Sequence, residues 1–318
     1  MNLESRPAAG LTAKARAAFL WACALDVAVR KPGNVSLHSA GHDMRARQFL
    51  DSAQASAPAL FASGVAVGAR IEAAVRATRA VAGCNTNLGI LLLCAPLACA
   101  LERLDGRQPP STGQLRTALE AVLQDLDIDD ARAAYRAIAT AHPGGLGTAP
   151  EQDVADEPGV DLRAAMRLAA DRDLIARQYA DGHAEVFGLG LAAFAGPAGQ
   201  PTMSLAQRVQ RVYLAWLATH PDSHIVRKQG AAVAHAVAVE AAAWRERLAR
   251  DPQAGEGADF AAWDEALKAR GLNPGTSADL TVCTLFVAAL LEPALAAQGV
   301  AGIDALFPGA MERSLLTP

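Results

Sequence analysis

Polar turns interrupt this alanine-rich chain, and they hold the residues with the greatest chemical capacity. In the first turn, VRKPGNVSLHSAGHDM, Pro32 ends a predicted helix and Gly33 frees the backbone to turn. Lys31 stands at the bend, where a mobile ammonium can bind phosphate as a point charge. The ordinary alternative is a helix stop with a solvated lysine. His38 and His42 would suit a metal if they lay on a helix, but the nearby glycine favours a loop.

A second polar turn, GCNTNLG, stands directly before the most apolar segment of the chain. Asn85, Thr86 or Asn87 can cap the helix that follows. A helix N-terminus also offers free N–H groups and the positive end of the helix dipole to an anion. Capping alone is the commoner explanation. This turn is therefore a candidate anion site only if other polar turns of the chain lie close to it.

A third turn, LNPGTSADL, precedes another predicted helix. Thr276 or Ser277 is expected to cap that helix, which places Asp279 in or near its first turn. A carboxylate there usually complements the helix dipole. Beside phosphate groups it would repel them unless Mg²⁺ lay between.

Two further segments concentrate charge at predicted helix ends. In HPDSHIVRKQG, Ser223 can cap a helix that carries Arg227 and Lys228, whose charges suit either an anion or ordinary solvent. In DRDLIARQYADGHAEVF, an ion pair between Asp173 and Arg177 at i,i+4 spacing explains much of the pattern without a function.

Helical periodicity dominates the elements that must position these turns. The windows 111–126 and 204–217 each carry an apolar stripe at 3.6-residue spacing, and each begins with a capping box, Ser111 with Gln114 and Ser204 with Gln207. Other helical windows are predicted at 12–30, 46–80, 86–104, 129–141, 161–180, 223–250, 259–270 and 277–297.

No run alternates as a strand would, so the predicted fold is all-α: a multi-helical globular bundle without a significant sheet. We expect a single domain over residues 1–318, with a loop or a sub-boundary near 147–159. The acidic cluster DLDIDD at 125–130 is predicted to be a solvated junction between two helices.

Composition excludes several classes of protein. The chain has 318 residues, of which 52% are hydrophobic, and a formal net charge of -4, so no overall basic field exists to hold nucleic acid or an anionic membrane. Leu88–Leu101 is shorter than the roughly 20 residues that span a bilayer, and is expected to be a buried core helix. The five scattered cysteines indicate reduced, mostly buried thiols, and with no export signal they favour a cytoplasmic protein.

Taken in order, the segments KPGNV, NTNLG, RDLIARQYADG, PDSHIVRKQG and LNPGTSADLT resemble the successive motifs of the triphosphoribosyl-dephospho-CoA synthase family, from about residue 20 to 290. The common phosphate loops and the HExxH and GxSxG motifs are absent. The resemblance implies an all-α pentosyltransferase. Such an enzyme moves the triphosphoribosyl group of ATP to the ribose 2′-hydroxyl of dephospho-CoA, a step in prosthetic-group synthesis, and releases adenine.

This resemblance implies roles for residues of the polar turns. Asp279 and Asp26 are the expected catalytic carboxylates and Mg²⁺ ligands. ATP-binding residues are expected at Lys31, Gly33, Asn34, Asn85, Thr86, Asn87, Arg227, Lys228, Asn273, Gly275 and Ser277. The expected partners are small molecules, ATP and its acceptor, with no nucleic acid or membrane, and a homodimer is a further expectation.

Three positions, in two of the motifs, depart from the family pattern. The chain has Asn87 and Leu88 where members acting on dephospho-CoA tend to carry NTHKG, and Ser36 where KPGxVD ends in aspartate. Its NTNLG and RDLIARQYADG segments are similar to those of the branch associated with tetrahydromethanopterin biosynthesis. One alternative is therefore an enzyme that uses ATP and acts on a pterin-pathway intermediate. A second alternative is a non-catalytic nucleotide-binding helical protein.

Overall fold

A computed structural model describes residues 6–106, 108–144, 151–197 and 203–296. Within these ranges the chain forms 14 α-helices and no strand, apart from one isolated bridge between Gly41 and Met44. The all-α prediction is therefore confirmed. The α-helices are α1 Arg6–Ala28, α2 Ala46–Leu60, α3 Val67–Ala82, α4 Leu88–Leu101, α5 Thr112–Gln124, α6 Ile128–Ala141, α7 Leu162–Ala169, α8 Leu174–Ala180, α9 Leu191–Ala195, α10 Leu205–Thr219, α11 Ser223–Gln229, α12 Ala231–Arg250, α13 Ala258–Ala269 and α14 Gly275–Leu291. A π-helical turn at Val186–Gly190 and 3₁₀ turns at Pro252–Glu256 and Pro293–Leu295 complete them.

The predicted helices with capping boxes are confirmed. In α5 the Ser111 hydroxyl accepts from the backbone N–H of Gln114, and in α10 Ser204 does the same for Gln207. In both helices the N3 glutamine bonds back to the N-cap backbone. These local contacts satisfy donors that every helix start leaves free, which is why sequence spacing alone located them.

Three predicted windows were wrong as single helices. The window 46–80 divides between α2 and α3, where Gly64 adopts a positive φ of 71°. The window 161–180 divides before Asp173, whose side chain caps α8. The window 223–250 divides at Gly230, with φ 89°. Left-handed glycines and side-chain caps end helices without disturbing the apolar pattern. The 3.6-residue periodicity therefore continues through these breaks and predicts one helix where the structure has two.

The centre of the fold consists of two helices that are apolar on all sides. Nearly every residue of α4 and α14 is buried, and the two helices pack against each other. The prediction that Leu88–Leu101 is a buried core helix is confirmed. Phe19, Phe61 and Phe286 meet edge to face beside them, with ring centroids 5.7 to 6.2 Å apart. Because both helices are covered all round, α4 carries no charged or hydroxyl side chain, and the Thr281 and Thr284 hydroxyls in the middle of α14 donate to backbone oxygens one turn earlier.

A second apolar cluster joins α10, α12 and α13. Its aromatic residues are Tyr213, Trp244, Phe260 and Trp263, with Trp244 stacked on Trp263 at 5.7 Å between ring centroids. All five cysteines are free, and Cys23, Cys94 and Cys283 are buried. Within the described ranges, no helix combines the length and the apolar character needed to cross a bilayer. The predicted homodimer stays a prediction.

The acidic junction at 125–130 differs from its prediction. Asp130 is only 7% exposed, and its Oδ1 accepts from the backbone N–H of Gly68 at 2.7 Å, which ties α6 to the start of α3. A Cβ at position 68 would lie 2.6 Å from the Asp130 Cα, so only glycine lets the helices approach this closely. Asp127, as predicted for a junction, is the exposed N-cap of α6. Residues 145–150, which include part of the predicted connection at 147–159, lie outside the described ranges.

His183 links the turn after α8 to the core helix α4. Its ring is fully buried, with Nδ1 3.1 Å from the carbonyl oxygen of Gln178 and Nε2 3.2 Å from that of Leu93. Burial lowers the pKa of His183 to about 4, against the opposing effect of those two carbonyl groups. The folded protein therefore binds this proton more weakly than the unfolded chain does.

We predict that His183 makes the protein acid-sensitive. Its contribution to stability is complete above pH 6.5 and decreases as the pH falls towards 4, by about 3 kcal/mol in total. Replacing it by His183→Gln should flatten the dependence of the free energy of unfolding on pH over this window, measured by urea denaturation at several pH values. Equal slopes for the two proteins would contradict the prediction.

Candidate functional site

A cavity of about 330 Å³ opens between α4, α6, α7, α8, α11 and α14. The segment 151–154 also lines it. The walls from α6 and α7 are apolar apart from one tyrosine, Tyr135, and include Ile138 and Met166. The charged and polar side chains come from α11, α14, the turns before α4 and α8, and the segment 151–154, which brings Glu151, Gln152 and Asp153. The volume is within the range of small-molecule sites, and the division suits a ligand with an apolar part and a charged part.

Asp279 lies against the first turn of α4. A Cβ at position 89 would overlap Asp279 Oδ2 and would lie 2.6 Å from its Cγ and 2.7 Å from Ile175 Cδ1. Glycine at the second position of α4 is therefore what allows the carboxyl group to reach this point. The other contribution of this turn is Asn85, whose Oδ1 accepts from the backbone N–H of Leu88 at 3.0 Å. The capping predicted for the turn is thus confirmed for Asn85.

The carboxyl group of Asp279 makes no hydrogen bond with any residue in the described ranges. Burial raises its pKa well above the ordinary value, and the charges of Asp26 and Asp222 raise it further, while Arg227 opposes them. The cavity reaches one side of the residue, which is otherwise enclosed. A carboxyl group in these surroundings is neutral over a wider pH range than an exposed one, and can donate a proton or bind a cation.

Arg227 on α11, together with Arg172 before α8, brings positive charge to the cavity. The Nη1 of Arg227 donates to Asp173 Oδ2 at 2.6 Å, and its buried Nε has no hydrogen-bond partner. The ion pair predicted between Asp173 and Arg177 is therefore wrong, because Asp173 instead caps α8 and pairs across 54 residues with Arg227. Arg177 donates to the carbonyl oxygen of Ala170 at 3.2 Å.

His224, one turn before Arg227, also lines the cavity. Its Nε2 is buried without a hydrogen-bond partner. Burial, followed by the charges of Lys228, Arg227 and His42, lowers the pKa of His224 to about 3. The imidazole is therefore neutral near pH 7 in the protein alone. No sequence prediction gave this residue a role, although it lies within the motif PDSHIVRKQG.

The predicted caps of α11 and α14 were wrong, since both helix starts are capped by Asp222. Its Oδ1 accepts from the backbone N–H groups of His224 and Ile225, and its Oδ2 accepts from the N–H and hydroxyl of Ser277. Ser223 instead accepts from the backbone N–H of Leu174 at 3.0 Å. An aspartate that reaches across 55 residues leaves no local spacing pattern, so serine and threonine were the natural choices from sequence.

The lysine at the first polar turn is buried rather than mobile. Lys31 is 0% exposed, and its Nζ lies 3.0 Å from Asp26 Oδ1 and 2.9 Å from Asn34 Oδ1. It also donates to the backbone oxygen of Asp26 at 2.5 Å. Neither prediction for this lysine, a mobile phosphate ligand or a solvated charge, describes it. The ammonium is required inside because Asp26 is itself buried, and burial raises the pKa of Asp26 against the pull of Lys31.

The first and third polar turns are joined to each other. Gly33, at φ 83°, passes so close to Leu272 that a Cβ would lie 2.9 Å from its backbone oxygen. The side-chain amide of Asn34 donates to Asn273 Oδ1 at 3.0 Å. Gly275 opens α14 beside His224. Gly33, Asn34, Asn273 and Gly275 therefore support the region next to the cavity but do not line it.

Two other predicted residues of the second turn pack into the protein. Thr86 donates to the Ser52 hydroxyl at 2.7 Å, and Asn87 accepts from Thr78 at 2.9 Å, so their side chains fasten α4 to α2 and α3. Of the predicted ATP ligands, only Asn85 and Arg227 line the cavity, together with Asp279. Lys228, beside Arg227, is exposed.

The paired histidines do not form a metal site. His38 and His42 lie on a loop, where their Nε2 atoms approach the backbone oxygens of Ala28 and Gly33. No group of three histidine, cysteine, aspartate or glutamate side chains within the described part of the chain is arranged to hold a metal ion. Asp26 and Asp279 therefore do not form a preassembled metal cage, and Asp26 faces Lys31.

Comparison with known families decides the class of the protein. The model of the CitG family, ATP:dephospho-CoA triphosphoribosyl transferase, matches residues 12–297. The chain belongs to the CitG family. It is accordingly an enzyme of the triphosphoribosyl transferase class, as the motif resemblance implied. Comparison with curated protein sequences gives no significant match.

A solved structure shares the fold of this CitG-family chain. It is the crystal structure of a candidate triphosphoribosyl-dephospho-CoA synthase from Archaeoglobus fulgidus, with a TM-score of 0.56 and 22% sequence identity. The match covers 76% of this chain and 99% of the other. At that identity the likeness establishes the fold.

We predict that Gly89→Ala disables the CitG-family site by displacing Asp279, because the new methyl group and the carboxyl group cannot both fit. Transferase activity, measured as adenine release, should fall by at least about tenfold. Gly113→Ala is the matched control: it occupies the same second position of α5, and its methyl group would meet nothing within 4 Å. Equal activity in the two variants would contradict the proposed contact.

Proposed function

We propose that the cavity is where this enzyme transfers the triphosphoribosyl group of ATP to the ribose 2′-hydroxyl of dephospho-CoA and releases adenine. Family membership supports the reaction. The observation that carries its assignment to this cavity is the meeting of Arg227, Asp279 and the N-terminal turn of α4 beside an apolar wall. ATP has the corresponding two parts, a triphosphate and a flat purine.

The charged part of the cavity suits the triphosphate. Arg227 supplies a guanidinium whose Nε is free to donate, and hydrogen bonds from a guanidinium to phosphate are among the strong ones. The first turn of α4, which carries Asn85 and Gly89, adds the positive end of a helix dipole. The purine is assigned to the apolar wall, which includes Ile138 and Met166.

Asp279 is assigned to the proton transfer. In the reaction the bond between C1′ and adenine N9 breaks and its electrons leave with adenine, while the 2′ oxygen of the acceptor bonds to C1′. One proton leaves the hydroxyl and one is gained by adenine. A carboxyl group with a raised pKa can give a proton to adenine and then accept one from the hydroxyl. Because its neutral form is favoured, it also avoids repelling the triphosphate.

Mg²⁺ fits this site only as a companion of the substrate. Asp26 faces Lys31, and both oxygens of Asp173 accept hydrogen bonds, so of these three aspartates Asp279 is the one available to hold the ion. Glu151, on the segment 151–154 that also lines the cavity, is a further carboxylate there. Mg²⁺ is usually bound through one or two carboxylates plus substrate phosphates and water, which agrees with so few available carboxylates. When bound, it would neutralise the charge of the triphosphate.

The remaining predicted ATP-binding residues are assigned to support. Lys31 holds Asp26 in place behind Asp279, and Asn34 and Asn273 connect the two turns that carry them. Thr86 and Asn87 fix the start of α4. Their substitution is expected to act through the positions of Asn85 and Asp279 rather than through contact with ATP.

We predict that Mg²⁺ with ATP raises the melting temperature, because a ligand that binds only the folded protein stabilises it. The enzyme should also release adenine when dephospho-CoA is added, measured by chromatography. Arg227→Ala should reduce both effects, while Lys228→Ala, which changes the adjacent exposed charge, should change them little. Absence of a thermal shift at millimolar ATP would contradict a nucleotide site here.

We predict that Asp279→Asn lowers adenine release by on the order of 10²-fold, the usual contribution of a positioned acid or base. Its melting temperature should hold or rise, because the site disfavours the charged carboxylate that the amide replaces. A titration with Mg²⁺ separates the two roles of this residue. A proton-transfer role leaves the required Mg²⁺ concentration unchanged, whereas a ligand role raises it, and near-wild-type activity overturns both.

A further inference from the structure

Asp222 connects the two helices that carry the opposite charges of the cavity. The residue is 0% exposed and does not line the cavity. Its Oδ1 accepts at 2.9 and 3.2 Å from the first turn of α11, and its Oδ2 accepts at 2.7 and 2.8 Å from Ser277 in the first turn of α14. A single carboxylate thus satisfies donors at both helix starts.

The two connected helices carry Arg227 and Asp279. Arg227 is five residues from Asp222, in the last turn of α11, and Asp279 is two residues beyond Ser277 in α14. The side chains of Ser223 and Arg227 hold this 7-residue helix to the start of α8, whereas Asp222 is the residue that bonds its start to α14. Loss of the bridge would therefore let the two charged side chains move relative to each other.

We propose that Asp222 is a positioning residue of the transferase, which holds Arg227 and Asp279 at the separation that the substrate requires. This proposal rests on the proposed function of the cavity. Asp222 does not touch the substrate; it acts through the two side chains. An ordinary capping carboxylate stabilises one helix, whereas Asp222 holds two helices, and with them Arg227 and Asp279, at a fixed separation.

Asp130 provides a matched comparison. It is also a buried aspartate that joins two helices, since its Oδ1 accepts from Gly68 at the start of α3 and its Oδ2 from Asp127 at the start of α6. It does not line the cavity. Asp130→Asn and Asp222→Asn therefore remove equivalent bridges, one remote from the reacting groups and one between them.

The test is a double-mutant cycle that combines Asp222→Asn with Asp279→Asn. The Asp222 change should lower kcat/KM for adenine release by at least about tenfold in the wild-type background, because small misplacements of reacting groups are costly. In the Asp279→Asn background it should cost less than about threefold, since the group through which it acts is already lost. Asp130→Asn should leave kcat/KM of the folded enzyme near wild type in both backgrounds.

Equal losses from Asp222→Asn in the two backgrounds would overturn the proposal, because a merely structural bridge acts independently of Asp279. If Asp222→Asn does not fold, Ser277→Ala replaces it. That change removes one of the two contacts at Oδ2 and keeps the backbone N–H contact. It should show a smaller loss with the same dependence on Asp279, and an independent loss would again overturn the proposal.

Affinity for ATP with Mg²⁺, measured by thermal shift in the same four proteins of the cycle, separates this proposal from the proposed reaction. If the wild type binds ATP but releases no adenine with dephospho-CoA, the proposed reaction fails. Asp222 is then judged by whether its effect on affinity depends on Asp279. A wild type that does not bind ATP would overturn both proposals.

Discussion

The carboxyl group of Asp279 can lie against α4 only because residue 89 has no side chain. The two apolar helices at the centre of the fold, α4 and α14, are covered on all sides, and Asp279 is the one charged residue within them. Gly89 lets the beginning of one helix meet a carboxyl group near the beginning of the other. The position of the cavity and the set of residues that face it depend on this close approach.

The buried aspartates of this chain differ in how their charge is satisfied. Asp26 has Lys31, Asp222 has two helix starts, and Asp264 accepts from the backbone of Gly33 and from Lys268. Burial of an unpaired carboxylate is costly, and these partners remove most of that cost. Asp279 alone among these four has neither an ion pair nor a hydrogen bond with a described residue, which agrees with the functional role proposed for it.

The residues that hold the site in place are different from the residues that line the cavity. The first polar turn reaches the region through Lys31, which is enclosed, and through Gly33, which is held by Asp264. Tyr213 donates to the backbone oxygen of Pro32 at 2.6 Å, and this adds another fixed point. A turn bound at so many points cannot follow a substrate by side-chain motion, so it fixes the position of Lys31 and, through the ion pair, that of Asp26.

Local patterns in the sequence determined the helical class, the two capping boxes, the buried helix Leu88–Leu101 and the segments that surround the site. These features depend on residues three or four positions apart, whose relation is the same in any fold. The helix breaks at Gly64 and Gly230, and the pairing of Asp173 with Arg227, were decided by the tertiary structure. The burial of Lys31 and the double cap by Asp222 were also decided there, because each depends on partners that only the folded chain brings together.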